Sequence, residues 1–573
     1  MTKLQLLKAT TDRKSLAILL GFKPKALSYI LYKKPPGLKY FPFQIPKRSG
    51  GMRTIQAPSE DLKRLQTRLA DLLQDCISDI NEGRKISGAI SHGFRRKRSI
   101  ITNARCHRGK KFVFNIDIKE FFDSINFGRV RGFFIKNKNF DLNPDVATVI
   151  AQIACHDNAL PQGSPCSPVV SNLVAHILDI RLAKLAQKYG CDYSRYADDL
   201  TFSTNKSKFP RGIACTGDAP PHEWEPGSEL AKIIKNSGFA INPSKTRMQY
   251  HQSRQDVTGL VVNSKVNVKT EYEKVARAMA HTVFKTGSFY AVKHKLDASG
   301  NLIEEQVPGT LQQLQGIMSF IDNVKRSNWS ESNPRPKERV GYERLYRDIL
   351  FYKDFYASDL PILLFEGKTD NIYIKCALKD LYKDFPQLAE KSGNSLSFKI
   401  RFMSYTNVTS RMLDLSGGTG ELNKLVSVYG REWNRFTTGH KGQPVILFVD
   451  NDKGSEGLFN SVKNTTKKTV TGQEPFLFVG QNLYVVPTPR TKAGGDTMIE
   501  DFFPKSVREK KLGTKKFNPG KTFDSKTEYG KYLFAEKIVR QQQNNINFGR
   551  FKPLLARIVM AIGDYASKAD GQA

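Results

Sequence analysis

The sequence predicts a multidomain chain of mixed α+β and α/β layers, and three features predict it. Its 573 residues are too many for one hydrophobic core, and an apolar content of 39% is enough to fill roughly three or four compact units. Short apolar runs, 111–116 and 195–203, alternate with stretches of helical periodicity, the mark of an α/β layer. A second pattern of the same kind begins at Pro361, beyond a polar stretch at 325–339 that contains prolines and lacks a core pattern.

Residues 1–33 carry leucines at helical spacing and end at the breaker Pro35-Pro36-Gly37. Residues 41–58 alternate around a basic, glycine-containing tip at 47–51, which predicts a hairpin, and 61–81 return to helical periodicity. Residues 206–227 are rich in Pro and Gly without periodicity and read as a surface insertion. Residues 271–324 read as largely helical with an interruption near 298–309.

A formal net charge of +35, with basic residues in excess both before and after Pro361, predicts a polyanionic partner contacted along the chain rather than by one tail. The seven cysteines show no CxxC pair and no regular spacing, so neither a zinc site nor a disulfide framework is indicated, and a reducing interior fits them best. The first residues are too frequently charged for a secretory segment, and no apolar run reaches membrane-span length. The expectation is a cytoplasmic protein with no membrane partner.

Two segments carry the first candidate chemistry. In 112–123 an apolar strand is expected to end in Asp117, and in 193–203 the adjacent Asp198 and Asp199 interrupt a strand-like run, as at a hairpin turn. Neighbouring carboxylates repel, and a divalent cation relieves that cost; oxygen ligands suit magnesium. Taken singly, each Asp is better explained as a turn residue or helix cap.

Tyr196-Ala197-Asp198-Asp199 resembles the YxDD box of reverse transcriptases. Asp117 with its following residues resembles their first palm motif, and 160–172 the motif between the two. Asn103-Ala104-Arg105-Cys106-His107 and Val257-Thr258-Gly259 resemble the NAxxH and VTG motifs of bacterial retron reverse transcriptases. The resemblance implies a right-hand polymerase with N-terminal helices and fingers over 1–110, a ferredoxin-like palm over 111–255 containing the insertion 206–227, a helical thumb over 256–324 and a linker over 325–358. It implies two Mg2+ held by Asp117 and Asp198 with Asp199 in support, Phe122 as the gate that rejects ribonucleotides, Gln162 and Gly163 beside the nascent base pair, and Lys47 and Arg53 on the triphosphate. The implied partners are a cognate noncoding RNA serving as template and as primer through a guanosine 2′-hydroxyl, its branched DNA product, dNTPs and a host ribonuclease H. A homo-oligomer stays open. Alternatives are a group-II-intron-like or other bacterial reverse transcriptase and a non-catalytic RNA-binding scaffold.

In the C-terminal part, a buried strand ends in Glu366 with Asp370 following, and another ends in Asp450-Asn451-Asp452. Acids at the carboxyl ends of strands are the usual site geometry of an open α/β sheet. The pattern resembles the Toprim domain, a Rossmann-like fold, and 498–504 resembles the third acidic element of its nuclease branch, the OLD family. That implies a nuclease over 359–573, with Glu366, Asp450 and Asp452 binding one or two Mg2+ or Mn2+, Asp370 and Glu500 as further ligands, and Lys492 near the cleaved phosphate. A retron fused to such an effector implies antiphage defence.

Overall fold

The structure, a computed structural model, describes residues 1–47, 51–83, 90–216, 223–297, 302–330, 338–393, 395–439, 442–520 and 522–570. The hairpin tip at 48–50, part of the expected insertion at 217–222 and part of the expected linker at 331–337 lie outside them. The chain forms two compact units. One comprises Met1–Glu273, Val292–Val307 and Phe320–Arg335; the other comprises Lys274–Ala291, Pro308–Ser319 and Pro336–Ala573.

In the first unit, short N-terminal helices start at Thr2 and Asp12, whose side chains accept from the backbone N–H of Gln5 and Ser15. An antiparallel hairpin follows, β1 (Tyr40–Pro46) with β2 (Met52–Pro58). Helix α1 (Glu60–Gly83) buries Leu62, Leu65, Leu69, Leu72 and Leu73, one face of a 3.6-residue period. After α2 (Ile100–Cys106) comes β3 (Phe112–Lys119), then the long helix α3 (Ser167–Tyr189), which stops at Gly190 with φ +64. The hairpin β4 (Asp192–Tyr196) and β5 (Asp199–Thr204) and the strand β6 (Ala240–Tyr250) complete a four-stranded antiparallel sheet of order β4-β5-β3-β6. A short pair, β7 (Asp256–Val257) and β8 (Leu260–Val261), closes around Thr258 and Gly259, both at positive φ as tight two-residue turns demand.

Three expectations change. Strand β3 runs two residues past Asp117, which is therefore a buried mid-strand residue, 4% exposed, and not a strand-end one. The described part of 206–227 is no bare loop: Ala214–Thr216 pairs with Trp224–Pro226, and Phe209, Ile213 and Ala214 are buried in the hydrophobic core of this unit. The interruption in the late helices is a two-stranded ribbon, Tyr290–Leu296 with Leu302–Pro308.

The second unit is built on a five-stranded sheet. Strand β9 (Ile362–Phe365) leads into α4 (Asp370–Leu381); β10 (Arg401–Phe402), α5 (Thr419–Trp433) and β11 (Val445–Val449) follow. Then come β12 (Leu477–Gly480), β13 (Leu483–Pro487) and the C-terminal helix α6 (Lys552–Asp570). The order is β10-β9-β11-β13-β12, parallel except for the edge strand β12. Strands β9, β11 and β13 are buried along their whole length, as parallel strands covered on both faces are. Among the described residues no helix is long and apolar enough to cross a membrane.

Candidate functional site

Strand β3 lies between β5 and β6, so Asp117 faces Asp199 across one register and Asn242 across the other. Asp198 sits in the β4–β5 turn, where its carbonyl accepts from the Ile118 N–H at 3.0 Å and Ala197 takes φ +56. The three acids thus meet at one end of the central strands. Burial, then the negative charge of Asp117, raises the Asp198 carboxyl; burial, then Asp198 and Asp117, pushes Asp199 up to about 7, although its own surface opens to solvent.

Two partners escaped the sequence reading. Asn242 Nδ2 donates to Asp117 Oδ1 at 3.0 Å, and Lys245 Nζ lies 2.8 Å from Oδ2. Lys245 gets there because β6 bulges: Asn115 pairs with Arg247 and Asp117 with Asn242, leaving residues 243–246 opposite Ile116 alone. The Asn-Pro-Ser-Lys sequence at 242–245, a proline inside a strand pattern, was the available signal. A cavity of about 320 Å³ opens beside the acids, lined among others by Tyr196, Asp199, Lys245, Arg247, Thr258 and Gly259.

Around this centre the other expected residues take distinct places. Phe122 is half-buried, with its ring edge-on to buried Phe121 at 5.4 Å. Gln162 accepts through its carbonyl from Gln56 N–H at 2.7 Å, and a Cβ on Gly163 would stand 2.6 Å from the Gln56 carbonyl oxygen. The close approach of β2 by itself thus requires a bare backbone at Gly163, whose φ is +121. Arg53, opposite Ile45, is exposed on the hairpin, and Lys47 donates its N–H to the Gly51 carbonyl. His107 is fully buried between the hydroxyls of Ser203 (Nδ1, 2.7 Å) and Ser194 (Nε2, 2.7 Å), and Ser194 donates to Asn103 Oδ1 at 2.7 Å; Ala104 packs beside them. Helix α2 is thereby fastened to both strands of the Asp198–Asp199 hairpin. Val257 is buried, and Thr258 donates to the Ile100 carbonyl.

In the second unit Asp370, Asp450 and Glu500 gather. Asp450 Oδ1 accepts from the Ile499 N–H at 2.8 Å and Asp370 Oδ2 from the Gly367 N–H at 2.8 Å. Burial, then Asp370 and Glu500, pushes Asp450 up to about 8; burial, then Glu500, pushes Asp370 up to about 6. Lys531, unforeseen because it lies far along the chain, places Nζ 3.0 Å from Glu500 Oε2. Glu366 accepts from Thr419 Oγ1 at 2.7 Å, and its other oxygen, like Glu500 Oε1, is buried without a hydrogen-bond partner. Asp452 instead caps its own turn through the Gly454 N–H, and Lys492 is exposed.

Among the described residues no three His, Cys, Asp or Glu side chains converge tightly enough to hold a metal ion as they stand. The donor chemistry still fits magnesium: both clusters are all-oxygen, and the C-terminal one keeps two unpartnered buried carboxylate oxygens that a hard cation satisfies.

Residues 45–262 match the family described as reverse transcriptase (RNA-dependent DNA polymerase). The chain is 34% identical over 338 residues to the retron Mx162 reverse transcriptase of Myxococcus xanthus, covering 54% of this chain and 62% of that protein. It is 34% identical over 276 residues to the retron Mx65 enzyme of the same organism, covering 45% and 59%. To the retron Ec86 reverse transcriptase of Escherichia coli it is 36% identical over 234 residues, covering 41% and 66%. The chain therefore spans about three fifths of the length of the first two relatives. A solved telomerase from Candida albicans aligns at 11% identity with a TM-score of 0.30 over 70% of this chain and 64% of that one, too slight a likeness to describe the fold. The chain carries a reverse transcriptase domain.

Proposed function

We propose that this protein is a retron RNA-directed DNA polymerase that copies its cognate noncoding RNA from a guanosine 2′-hydroxyl, leaving DNA branched from RNA. The observation that carries the reading is the register of Asp117 against Asp199, with Asp198 in the adjoining turn, beneath a helix bearing Asn103 and His107. Asp117 and Asp198 would hold Mg2+, with Asp199 beside them; when bound, the metal lowers the pKa of the attacking hydroxyl and steadies the departing pyrophosphate. The chain's own residues orient the substrates. Phe122 rejects a ribose 2′-hydroxyl, Gln162 lies along the base pair, and Lys47 and Arg53 attract the triphosphate from the hairpin. Lys245 balances the charge at Asp117.

The second unit we read as a Toprim-type nuclease with Glu366, Asp370, Asp450, Asp452 and Glu500 around Mg2+ or Mn2+, an effector in antiphage defence, acting in the cytoplasm with host ribonuclease H trimming the template. Its support is the set of acids at the carboxyl ends of β9 and β11, with two buried oxygens lacking partners.

The test is the nucleic acid that travels with the purified protein. Wild type is expected to carry DNA covalently joined to RNA, and the double substitution D198N/D199N to carry the RNA without the DNA. DNA persisting in the double variant would overturn the assignment.

A further inference from the structure

Phe94 is a bulky aromatic residue held in the left-handed region, φ +56, with 41% of its surface exposed. Aromatic side chains avoid that conformation, so one that keeps it is overdetermined by its surroundings and worth asking about. The surroundings here are specific. The His92 N–H donates to the Arg195 carbonyl at 2.8 Å, Asn172 Nδ2 to the Gly93 carbonyl at 2.7 Å, and Gln74 Nε2 to the Phe94 carbonyl at 2.9 Å. A Cβ on Gly93 would lie 2.7 Å from the Ala197 nitrogen, so this segment rests directly on the turn that presents Asp198.

From that anchored backbone the Phe94 ring reaches Phe122 at 6.2 Å and Tyr196 at 6.4 Å between centroids, within the range of aromatic pairing. Phe122 is therefore within pairing range of two rings of different character: Phe121 is 3% exposed and belongs to the core, and Phe94 lies at the surface. A gate that discriminates by collision works only if it cannot recoil, and the core ring alone leaves Phe122 free on its solvent side.

We propose that Phe94 is a positioning residue that braces Phe122 and thereby sets the preference for deoxyribonucleotides over ribonucleotides; this rests on the polymerase reading above. The strained backbone is kept because it is what points the ring at Phe122. In the structure's terms the selectivity device is a pair, Phe122 meeting the sugar and Phe94 holding it in place.

The experiment uses the full chain with oligo(dT) annealed to poly(rA), supplied with dUTP or UTP, which differ only at the 2′ position. Phe94→Gly removes the ring and relieves the backbone, since glycine accepts positive φ at no steric cost. The expected result is a fall on the order of tenfold in the ratio of kcat/KM for dUTP to that for UTP, the scale on which a small steric difference in a pocket discriminates. It should arise from improved use of UTP, with kcat for dUTP retained and Tm not lowered, while Phe94→Tyr keeps the wild-type ratio. An unchanged ratio in an active Phe94→Gly protein would overturn the proposal, as would an equal loss with both nucleotides, which marks a merely structural ring. No extension by the wild type would overturn the polymerase reading, and this inference with it.

Discussion

Arg195 and Asp179 are 0% and 1% exposed and meet through two hydrogen bonds of 2.7 Å, while Arg195 Nη1 also donates to the Ala197 carbonyl at 3.0 Å and Asn172 Oδ1 at 3.1 Å. The guanidinium thus ties helix α3 to the turn on which Asp198 is carried, and its charge is tolerable only because Asp179 answers it. Asp179→Ala leaves a buried cation alone and should cost about 3–5 kcal/mol. The midpoint of urea unfolding measures this, and a loss within the ±0.5 kcal/mol typical of surface sites would show that the pair does not hold the turn. None of this was legible beforehand. Arg195 in the sequence is one more basic residue in a basic chain, whereas Asp198 and Asp199 stood out as two adjacent acids inside a strand-like run, in order with Asp117 and the motif at 160–172. Phe94 was invisible for a related reason, since neither composition nor period reveals a left-handed φ.

Between elements, the seam that matters joins α2 to the β4–β5 hairpin through His107. Burial, then the charges of His92 and Lys110, holds this imidazole down at about 3, and burial, then Arg98 and Arg95, holds His92 at about 4. In the unfolded chain both titrate near 6.5. Below that pH the unfolded state takes up protons that the folded state refuses, so their contribution to stability declines as pH falls from about 6.5 toward 4. The raised carboxyls of Asp199, Asp450 and Asp370 act in the opposite direction over this range, so the test is a difference: on going from pH 7 to pH 5 the urea midpoint of His107→Gln should gain relative to that of the wild type, and an identical pH dependence in the two would count against a neutral, buried His107. The hairpin itself was readable, because strand-like runs flank the acids. The bulge at 243–246 was not, since a register irregularity depends on the partner strand and leaves only a proline as its trace. For the same reason Asp117 was expected at a strand end: the apolar run stops there, but pairing with β6 carries the strand on through Ile118 and Lys119.

Across the whole molecule, each compact unit has its own sheet and its own carboxylate cluster. On the proposed functions the two chemistries are separable by substitution. Glu366→Ala or Asp450→Ala should abolish Mg2+- or Mn2+-dependent cleavage and toxicity to the host while DNA synthesis stays within about twofold of wild type, inside the ±0.5 kcal/mol expected of an independent site in the other unit. Unaltered cleavage by both variants would remove the nuclease reading. The sequence showed two α/β patterns, because apolar strands bounded by breakers are a local signal. It did not show that residues 274–291 and 308–319 pack with the C-terminal unit, since helix periodicity reports that a face is buried and not against what.

Both clusters contain an ammonium group from the chain itself, Lys245 on Asp117 and Lys531 on Glu500. Crowded carboxylates repel one another, and protonation, a metal or a neighbouring ammonium group each relieves that repulsion. Here each set of acids has a tethered cation nearby, so the polypeptide can reach its native shape unaided, and on the proposed functions an incoming ion would have to compete with a side chain rather than with water alone.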